Sequence, residues 1–381
     1  MAQLLIPHSP QTRVRLHPHA VVETVSPAPR DIWRGVLRDD PGATALQTPE
    51  YLDAVVSATG GADISRFYQL RDGRQLVLPL VRRPSRLGLD SEAGYPGGYG
   101  RGGLLATGGL LSDDVRTVVQ DLREESLTLR IGGAPHTTEQ WSAGLLPGVT
   151  EERRRVGVID VEPRHAHDVA DFRATRIDGQ TRQRLHRAAR LGVEMQKDTT
   201  GRLMPVVHDV YQAWVERRVP RSGLPQRIAR RRALEAESYE MLATVAARMG
   251  DDCRVFVAWL NGRPIAASIL LVHAEHAVGW RSYSVPEVAN PVSADLLTQV
   301  TSIEDAISSG CRQIDLGPTM GGDDLEHGKN ALGASCRSVV DLRIEPAGLA
   351  RLRIARVRAE GVLVRALTRA PASPTLGQPT P

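Results

Sequence analysis

Lysine, cysteine and long apolar segments are all scarce in this chain of 381 residues. Only two of its 48 basic residues are lysine, Lys197 and Lys329, so arginine supplies nearly all of the positive charge. No apolar run is long enough to cross a bilayer. The brief apolar stretch at the start is interrupted by Pro7 and His8, which is not typical of a secretory signal. These absences argue against a membrane-spanning or secreted protein and predict a cytoplasmic one.

The cysteine and histidine content predicts neither a disulfide framework nor a metal site. Cys253, Cys311 and Cys336 are odd in number and widely spaced, which is typical of three buried thiols. The close pair His165 and His167 lies in a polar connector with no cysteine nearby. With 41% hydrophobic and 24% charged residues, the chain is long enough for two globular domains.

Positive charge is concentrated between residues 173 and 232. This block holds fourteen arginines and Lys197 against five acidic residues, a net charge of +10, whereas the whole chain carries +4. A polyanion such as RNA or an anionic headgroup would favour such a block, and a merely solvated helical face is the alternative. Within it, residues 181–191 predict a helix whose Arg184, Arg187 and Arg190 share one face.

Two segments nearly 190 residues apart repeat one outline. Residues 67–74 and 256–263 carry Phe and Gly at identical spacing, and each joins two apolar runs through an Asp-Gly or Asn-Gly turn. Such turns predict β-hairpins. Each hairpin follows a helix-like segment that ends near a glycine, at residues 51–60 and 239–250. The repeated unit predicts two domains of one fold, although Asp-Gly hairpins are common and chance is the alternative.

The remaining pattern predicts a mixed α/β sheet. Strands are expected at residues 75–81, 277–284, 313–316 and 338–344, with a helix at about 293–309. The glycine-rich residues 94–103 are not followed by the Gly-Lys-Ser/Thr of a nucleotide loop, so they are interpreted as turns that line a cleft.

The C-terminal end predicts one more helix and a tail. Residues 352–367 interleave apolar residues with arginines, which favours a helix packed on its own domain, with contact to a membrane surface as the alternative. The predicted division is a 1–27 extension, a first domain at 28–165, a second at 166–346, a basic helix at 347–370 and a disordered tail at 371–381.

Lys329 follows the strand-like residues 313–317 in a segment predicted to be a glycine-rich loop. An ammonium is a compact donor that can settle against one carbonyl or a developing oxyanion, whereas a guanidinium suits bidentate anions. The alternatives are a solvated surface lysine and a structural ion pair with Asp323 or Glu326.

Several strings together resemble the Fem family. They are residues 253–272, Gly-Trp-Arg-Ser-Tyr at 279–283, Ile-Asp-Leu-Gly at 314–317, Gly-Lys-Asn-Ala-Leu-Gly-Ala at 328–334 and, in the first half, 48–52 and 78–81. The likeness spans roughly residues 28–346. It implies an α/β fold of two tandem GNAT-like domains, each a mixed central sheet flanked by helices.

The resemblance also implies a reaction. An amine acceptor, either a peptidoglycan precursor or a small amine, attacks the ester of an aminoacyl-tRNA and an amide forms. The ester is already activated, so no cofactor and no metal is expected. Lys329 resembles the family lysine near the transferring carbonyl. The basic block then gains a consistent partner in the tRNA phosphates, through Arg182, Arg184, Arg187 and Arg190.

Further site residues are predicted around this chemistry. Arg281 and Tyr283 alternate on one strand with Trp280 and share a face, interpreted as lining the cleft; core packing of Tyr283 is the alternative. Asp315 is a candidate general base or amine ligand, and capping of the next turn is the alternative. Arg82 and Arg83 are candidates for binding an acceptor phosphate.

The sequence departs from the family in two places. Nothing between residues 173 and 239 has the heptads of a coiled-coil arm, and Gly328 replaces the usual aromatic residue before the lysine. Both departures favour a small-metabolite amine over a cell-wall precursor.

Two rival functions stay open. An acyl-CoA N-acyltransferase would use residues 176–181 for phosphate, although Asp178 and Thr181 depart from that motif. A non-catalytic adaptor that contacts RNA or membrane is the third reading.

Overall fold

The computed structural model describes residues 21–84, 91–95, 98–124, 128–162, 168–219, 225–319 and 323–345. The first half contains β1 (Val21–Val25), α1 (Arg30–Asp39), α2 (Pro49–Thr59), β2 (Ala62–Asp63), β3 (Arg66–Leu70), β4 (Gln75–Leu78), β5 (Val81–Pro84), β6 (Ser91–Ala93), β7 (Leu105–Ala106), α3 (Ser112–Leu122), β8 (Thr128–Gly132), α4 (Thr138–Ser142) and β9 (Val149–Asp160).

The second half contains α5 (Val169–Arg176), α6 (Gly179–Arg190), β10 (Glu194–Asp198), α7 (Met204–Arg218), α8 (Gln226–Ala236), α9 (Tyr239–Met249), β11 (Cys253–Leu260), β12 (Arg263–His273), β13 (His276–Ser284), α10 (Pro286–Val292), α11 (Ala294–Ser308), β14 (Gln313–Pro318), α12 (Asp323–Asn330) and β15 (Ser335–Ile344).

The strands form two sheets. One has four strands in the order β1-β3-β4-β7, and the other has eleven in the order β10-β11-β12-β13-β14-β9-β15-β8-β6-β5-β2. Among the described strands, β6 with β8 and β13 with β14 run parallel, while the other pairs are antiparallel. The predicted mixed α/β architecture is therefore confirmed.

Both predicted hairpins are present. β3 and β4 pair around a turn at Gly73, where φ is +88°, and β11 and β12 pair around Asn261 and Gly262, where φ is +51° and +72°. Two successive residues with positive φ give the β11–β12 turn the tight form that matches the twist of a hairpin, and Asn-Gly tolerates it best. The β3–β4 turn is longer and has positive φ only at Gly73, so the tight turn expected at Asp72 and Gly73 is not formed. The internal repeat therefore corresponds to a repeated structure.

The helix before each hairpin also lies where the sequence predicts it. Thr48 caps α2 by accepting a hydrogen bond from the N–H of Tyr51, and Ser238 caps α9 by accepting one from Met241. α2 ends at Gly60 in the left-handed conformation, and Gly250, at φ +54°, follows α9.

These two equivalent helices pack against each other. Their buried residues belong to one hydrophobic cluster that contains Tyr51 and Leu52 of α2 together with Leu242 and Val245 of α9. The Thr48 hydroxyl also lies 3.7 Å from the sulfur of Met249. The two halves therefore share a core at the point where their repeated units meet.

The halves also share the large sheet. β9 pairs with β15 from Val149 opposite Ile344 to Val158 opposite Ser335, and β15 pairs on its other side with β8. The last described strand of the second half thus lies between two strands of the first. The predicted boundary between residues 165 and 166 separates the two parts along the sequence, but β9 and β15 pair across it in one sheet.

Some local predictions need correction. β1 falls inside the predicted 1–27 extension and pairs with β3, so that part of the chain belongs to the first-half sheet. The strand expected at 75–81 is interrupted after Leu78, because Pro79 has no N–H to donate. Lys329 lies in the last turn of α12, not in a loop.

The cysteines agree with the prediction only in part. Cys253 and Cys311 are buried, Cys336 is partly exposed, and all three are free thiols. Burial raises the pKa of Cys253 to about 12 and that of Cys311 to about 11, because an apolar interior disfavours the thiolate. The pair His165 and His167, the 347–370 helix and the 371–381 tail lie outside the described residues.

Helix length bears on two further expectations. The longest described helices, α7 and α11, have 15 residues each, so the part of the chain that the structure describes contains no extended coiled-coil arm. Within the same residues, no helix is both long and apolar enough to span a bilayer.

The shared core generates a stability prediction. Leu52→Ala removes a fully buried side chain between α2 and α9, and we expect the free energy of unfolding to fall by about 2–5 kcal/mol. The control is Leu145→Ala, the same change at a side chain that is 50% exposed, with an expected effect below about 0.5 kcal/mol. Urea unfolding followed by circular dichroism measures both. Equal midpoints for the two variants would contradict this account of the core.

Candidate active site

The site begins where β13 and β14 separate. The two strands pair in parallel only from His276 opposite Gln313 to Val278 opposite Asp315. Beyond that point β13 carries a β-bulge where it pairs with β12, since Ile269 faces Arg281 and Leu270 faces Gly279, which leaves Trp280 as the extra residue. Gly317, at φ +77°, bends β14 on the other side. We call the resulting gap between β13 and β14 the strand opening.

Two cavities adjoin the strand opening. The first, here called the cleft, has a volume of about 910 Å³ including space open to solvent, and it lies between the two halves. Its walls come from the glycine-rich loop, β8, β9, β13, β14 and β15, and include Gly98, Gly100, Arg101, Gly102, Arg130, Arg154, Trp280, Arg281, Asp315 and Asp341. The second, of about 650 Å³, extends to Gln299 and Ser302 of α11. Both are lined by Gly279, Trp280, Arg281, Gly317 and Pro318.

Asp315 lies in the wall of the cleft, and both of its carboxylate oxygens accept hydrogen bonds from neighbours. Its Oδ1 accepts a hydrogen bond of 2.7 Å from the N–H of Gly317, and its Oδ2 accepts one of 2.9 Å from Arg101. The first contact is the turn cap that the sequence analysis gave as an alternative. The second is an ion pair between the two halves, and it places the carboxylate in the cleft.

Arg281 and Tyr283 share a face of β13, and both contact Glu237. The Nε of Arg281 lies 3.1 Å from one carboxylate oxygen of Glu237, and the hydroxyl of Tyr283 donates to the other. Burial raises the pKa of Glu237, and the Arg281 guanidinium opposes that shift. Arg281 also donates to the carbonyl of Gly98 at 2.5 Å.

The two residues nevertheless differ in position. Arg281 lies over the ring of Trp280 at 4.2 Å and lines the cleft with it. Tyr283 packs in the core against Tyr211, with ring centroids 4.8 Å apart, and is not among the residues that line the cleft. Among the residues with described positions, it reaches the site through Glu237.

Lys329 lies behind the wall of the strand opening. Its Nζ donates to the carbonyl oxygens of Gly317 at 2.6 Å and Pro318 at 2.7 Å, and the residue is 7% exposed. Glu326, one of the two acidic partners considered for Lys329, pairs instead with Arg155 at 2.7 Å. The side chain of Asp323, the other, lies outside the described part. Burial lowers the pKa of Lys329 to about 8, against the opposing effect of the Asp315 carboxylate.

Arg82 and Arg83 are distant from this arrangement in the sheet. They lie on β5, next to the edge strand β2, and neither lines the cleft. The structure does not bring them together with Lys329 or Asp315.

The arginines of α6 divide into two groups. Arg182 donates to the carbonyls of Ala174, at 2.8 Å, and Ile177, so it completes the end of α5. Arg184, Arg187 and Arg190 are exposed, while Leu185 and Ala188 on the other side of the helix are buried. We call the exposed three the α6 arginine face. Its only hydrogen bond within the described residues joins Arg184 to the hydroxyl of Ser293, at 3.2 Å.

Sequence reasoning missed four charged residues of the cleft: Arg101, Arg130, Arg154 and Asp341. Arg101 belongs to the glycine-rich segment that was expected to line a cleft, so a signal for it existed. The other three carry no local motif. The register of β8, β9 and β15 brings them together, and that pairing is not visible in a single sequence.

No group of three or more His, Cys, Asp or Glu side chains suited to a metal ion occurs among the residues with described positions.

Comparisons with known proteins identify the fold. Residues 175–327 match a family model described as an acetyltransferase (GNAT) domain. No protein with a curated description matches the sequence. The crystal structure of FemX is similar over 84% of this chain and 96% of its own, with a TM-score of 0.58 and 9% identity.

Two further solved structures are similar. A conserved protein of unknown function from Bacteroides thetaiotaomicron has a TM-score of 0.52 and 12% identity, over 83% of this chain and 96% of that one. A tandem GNAT protein from the clavulanic acid biosynthesis pathway has a TM-score of 0.46 and 13% identity, over 84% and 97%. The match to the GNAT family model lies in the second half, and most of the chain shares the FemX architecture, which confirms the predicted fold class.

The lowered pKa of Lys329 predicts a dependence of stability on pH. Between about pH 8 and 10.5 the folded protein has lost this proton while the unfolded chain keeps it, so the contribution of Lys329 to the free energy of unfolding rises with pH. In that window we expect the free energy of unfolding of the wild type to rise, relative to that of Lys329→Met, by up to about 1.4 kcal/mol per pH unit.

Chemical unfolding at pH 7, 8, 9 and 10 measures the difference between the two proteins. Lys197→Met, the same change at the other lysine, whose side chain is 44% exposed, controls for the loss of one positive charge. Parallel pH profiles for the wild type and Lys329→Met would show that this lysine does not titrate in the expected range.

Proposed function

We propose that this protein forms amides by acyl transfer at the strand opening, with aminoacyl-tRNA as donor, an amine as acceptor and no cofactor. The supporting observation is the pair of cavities that share one wall of residues at the opening. A transfer between two substrates requires both reacting atoms to meet within contact distance. Cavities on either side of one gap give each substrate its own approach.

The chemistry of the wall fits such a transfer. The amine nitrogen attacks the ester carbonyl, a tetrahedral oxyanion forms, and the ester C–O bond then breaks as the terminal hydroxyl of the tRNA leaves with a proton. Trp280 lines both cavities, and its indole N–H is buried beside the hydroxyl of Tyr51. This N–H is the donor that we assign to the oxyanion. Asp315 lines the cleft beside the opening, and Arg101 holds its carboxylate in place.

Lys329 and Tyr283 act in this proposal as positioning residues. The ammonium of Lys329 fixes the carbonyls of Gly317 and Pro318, and with them one edge of the opening. Tyr283 holds Glu237, and Glu237 in turn holds the guanidinium of Arg281 against the cleft. Neither side chain needs to touch the reacting atoms for its loss to lower the rate of transfer.

The start of α6 favours tRNA over acyl-CoA as donor. Asp178 accepts from the N–H of Thr181 at 2.9 Å and from its hydroxyl at 2.6 Å. These contacts lower the pKa of Asp178, although partial burial opposes them, and the carboxylate occupies the helix end where a pyrophosphate would bind. Residues 176–181 therefore repel the anion that the acyl-CoA reading assigns to them.

The basic block supports tRNA binding through fewer residues than its net charge suggests. Arg173 pairs with Glu304, Arg176 with Glu162, Lys197 with Asp305, Arg230 with Glu216 and Arg231 with Glu235. A guanidinium that is already paired contributes little to counterion release. The α6 arginine face is the part of the block that best fits a phosphate backbone.

Acyl-CoA stays as the second candidate donor because the matched family model is described as an acetyltransferase domain. For the acceptor we propose a small amine rather than a cell-wall precursor, as Gly328 suggests. Peripheral contact with a membrane was predicted from residues 352–367, which lie outside the described part, and it stays a prediction.

Replacing the α6 arginine face tests the donor. We expect Arg184→Gln/Arg187→Gln/Arg190→Gln to weaken binding of bulk aminoacyl-tRNA and to reduce the slope of log K against log salt by about two to three, one step per lost phosphate contact. Fluorescence anisotropy across a salt series measures both. The matched control removes three exposed arginines of the first half, as Arg71→Gln/Arg116→Gln/Arg123→Gln.

The wild-type protein is also titrated with acetyl-CoA. Unchanged tRNA affinity in the triple variant would contradict the proposed binding surface. Tight acetyl-CoA binding together with salt-insensitive tRNA binding would replace the proposed donor with acyl-CoA.

A further inference from the structure

The carboxylate of Asp341 on β15 has one oxygen without a partner. Its Oδ2 accepts a hydrogen bond of 2.8 Å from Arg130 and lies 3.4 Å from the Nε of Arg154. Its Oδ1 is buried and accepts nothing within the described residues, although Asp341 is 3% exposed and lines the cleft. Buried polar atoms are nearly always hydrogen-bonded, so the Oδ1 of Asp341, at the wall of the cleft, is a candidate acceptor for a bound molecule.

The strand opposite leaves room for this oxygen. Asp341 pairs with Gly132 of β8, and a Cβ atom on Gly132 would lie 2.1 Å from Oδ1. Any side chain at this position would displace the carboxylate. The glycine therefore gives the Asp341 carboxylate the room it occupies.

A second residue of the cleft wall has a donor without a partner. The Nε of Arg130 is buried and has no hydrogen bond among the described residues, and Arg130 also lines the cleft. The cleft thus offers one unfilled acceptor and one unfilled donor on two residues that are already paired with each other.

Counted over the described residues alone, the charges around this pair are balanced. Three guanidiniums, of Arg130, Arg154 and Arg343, face three carboxylates, and the additional ion pairs range from 3.0 Å to 3.7 Å. The three carboxylates belong to Glu152, Asp341 and Glu345. A bound cation or anion would leave one unit of charge uncompensated in a partly buried site. A zwitterion would satisfy both unfilled groups and keep the balance.

We propose that the cleft binds an amino-acid-like acceptor, whose amine donates to Asp341 and whose carboxylate accepts from Arg130. This rests on the proposed function only in treating the bound amine as the acceptor. Before the attack the bound ammonium loses one proton to solvent. The neutral amine then forms the C–N bond as the ester C–O bond breaks, its second proton leaves with the tRNA hydroxyl, and the carboxylate remains free in the amide product.

Binding of four small probes to the wild-type protein, without any donor, tests the proposal. L-alanine carries both groups, isopropylamine only the amine, propionate only the carboxylate, and L-alaninamide replaces the carboxylate with a neutral amide. We expect L-alanine to bind at least about tenfold more tightly than each of the other three, because each lacks one charged hydrogen bond. Calorimetry or ligand-observed NMR measures the affinities.

Equal affinity for L-alanine and isopropylamine, or no detectable binding of any probe, would overturn the proposal. Failure of the proposed function alone would give a different result from failure of this proposal. L-alanine would still bind tightly and selectively, but neither aminoacyl-tRNA nor acetyl-CoA would yield an acylated product.

A single substitution tests the role of Asp341. In Asp341→Asn the side-chain oxygen must stay on Arg130 and Arg154, so the amide nitrogen takes the place of Oδ1 and turns the acceptor into a donor. We expect L-alanine binding to fall at least about tenfold and propionate binding to change less. Asp121→Asn is the control, since Asp121 is equally buried, pairs with Arg66 and does not line the cleft.

Thermal unfolding shows whether each variant is folded. If Asp341→Asn fails to fold, the probe series on the wild type still decides the proposal. Unchanged L-alanine affinity in a folded Asp341→Asn protein would overturn it.

Discussion

The pairing of β9 with β15 is the constraint on which the rest of the site depends. These two long strands form ten residue pairs in the middle of the large sheet, with β14 on one side and β8 on the other. Backbone hydrogen bonds of this kind fix register as well as position, because a slip by one residue would turn every side chain to the opposite face. The register places Asp341 opposite both Gly132 and Glu152, and so assembles the cleft from strands of both halves.

The strand opening depends on the same frame. β14 is anchored by β9 as far as Asp315 opposite Val158, and the register then shifts before Pro318 opposite Val156. Lys329 crosses β9 at Gly157, where a Cβ atom would lie 2.7 Å from its Cδ, and reaches the two carbonyls at the shift. A compact ammonium on a slender stem fits this passage, whereas a planar guanidinium would require more width. This gives a physical reason for a lysine in a chain that otherwise uses arginine.

Local patterns predicted local structure well. The two Asn-Gly and Asp-Gly hairpins, their preceding capped helices and the strands of the second half lie close to where the residues indicate, because turn chemistry and capping act over a few neighbours. The predicted neighbourhood of Arg281, Trp280 and Asp315 also forms one wall. Sequence reasoning did not find Asp341, Arg130 and Arg154, since residues so far apart in sequence meet only through strand order. Lys329 was assigned to a loop because Gly328, next to it, is not typical of a helix.

Charge shows the same limit of local reasoning. A count over residues 173–232 gives a strongly basic block, yet much of that charge is neutralised by carboxylates from other elements, such as Glu304 and Asp305 of α11. Arginine suits this use, because its fork pairs with a carboxylate and keeps its charge at all relevant pH values. Net charge therefore overstates the anion-binding surface in an arginine-rich protein, and the residues to consider are those that folding leaves exposed. On α6 these are the three arginines opposite the buried Leu185 and Ala188, which form a stripe about two helical turns long.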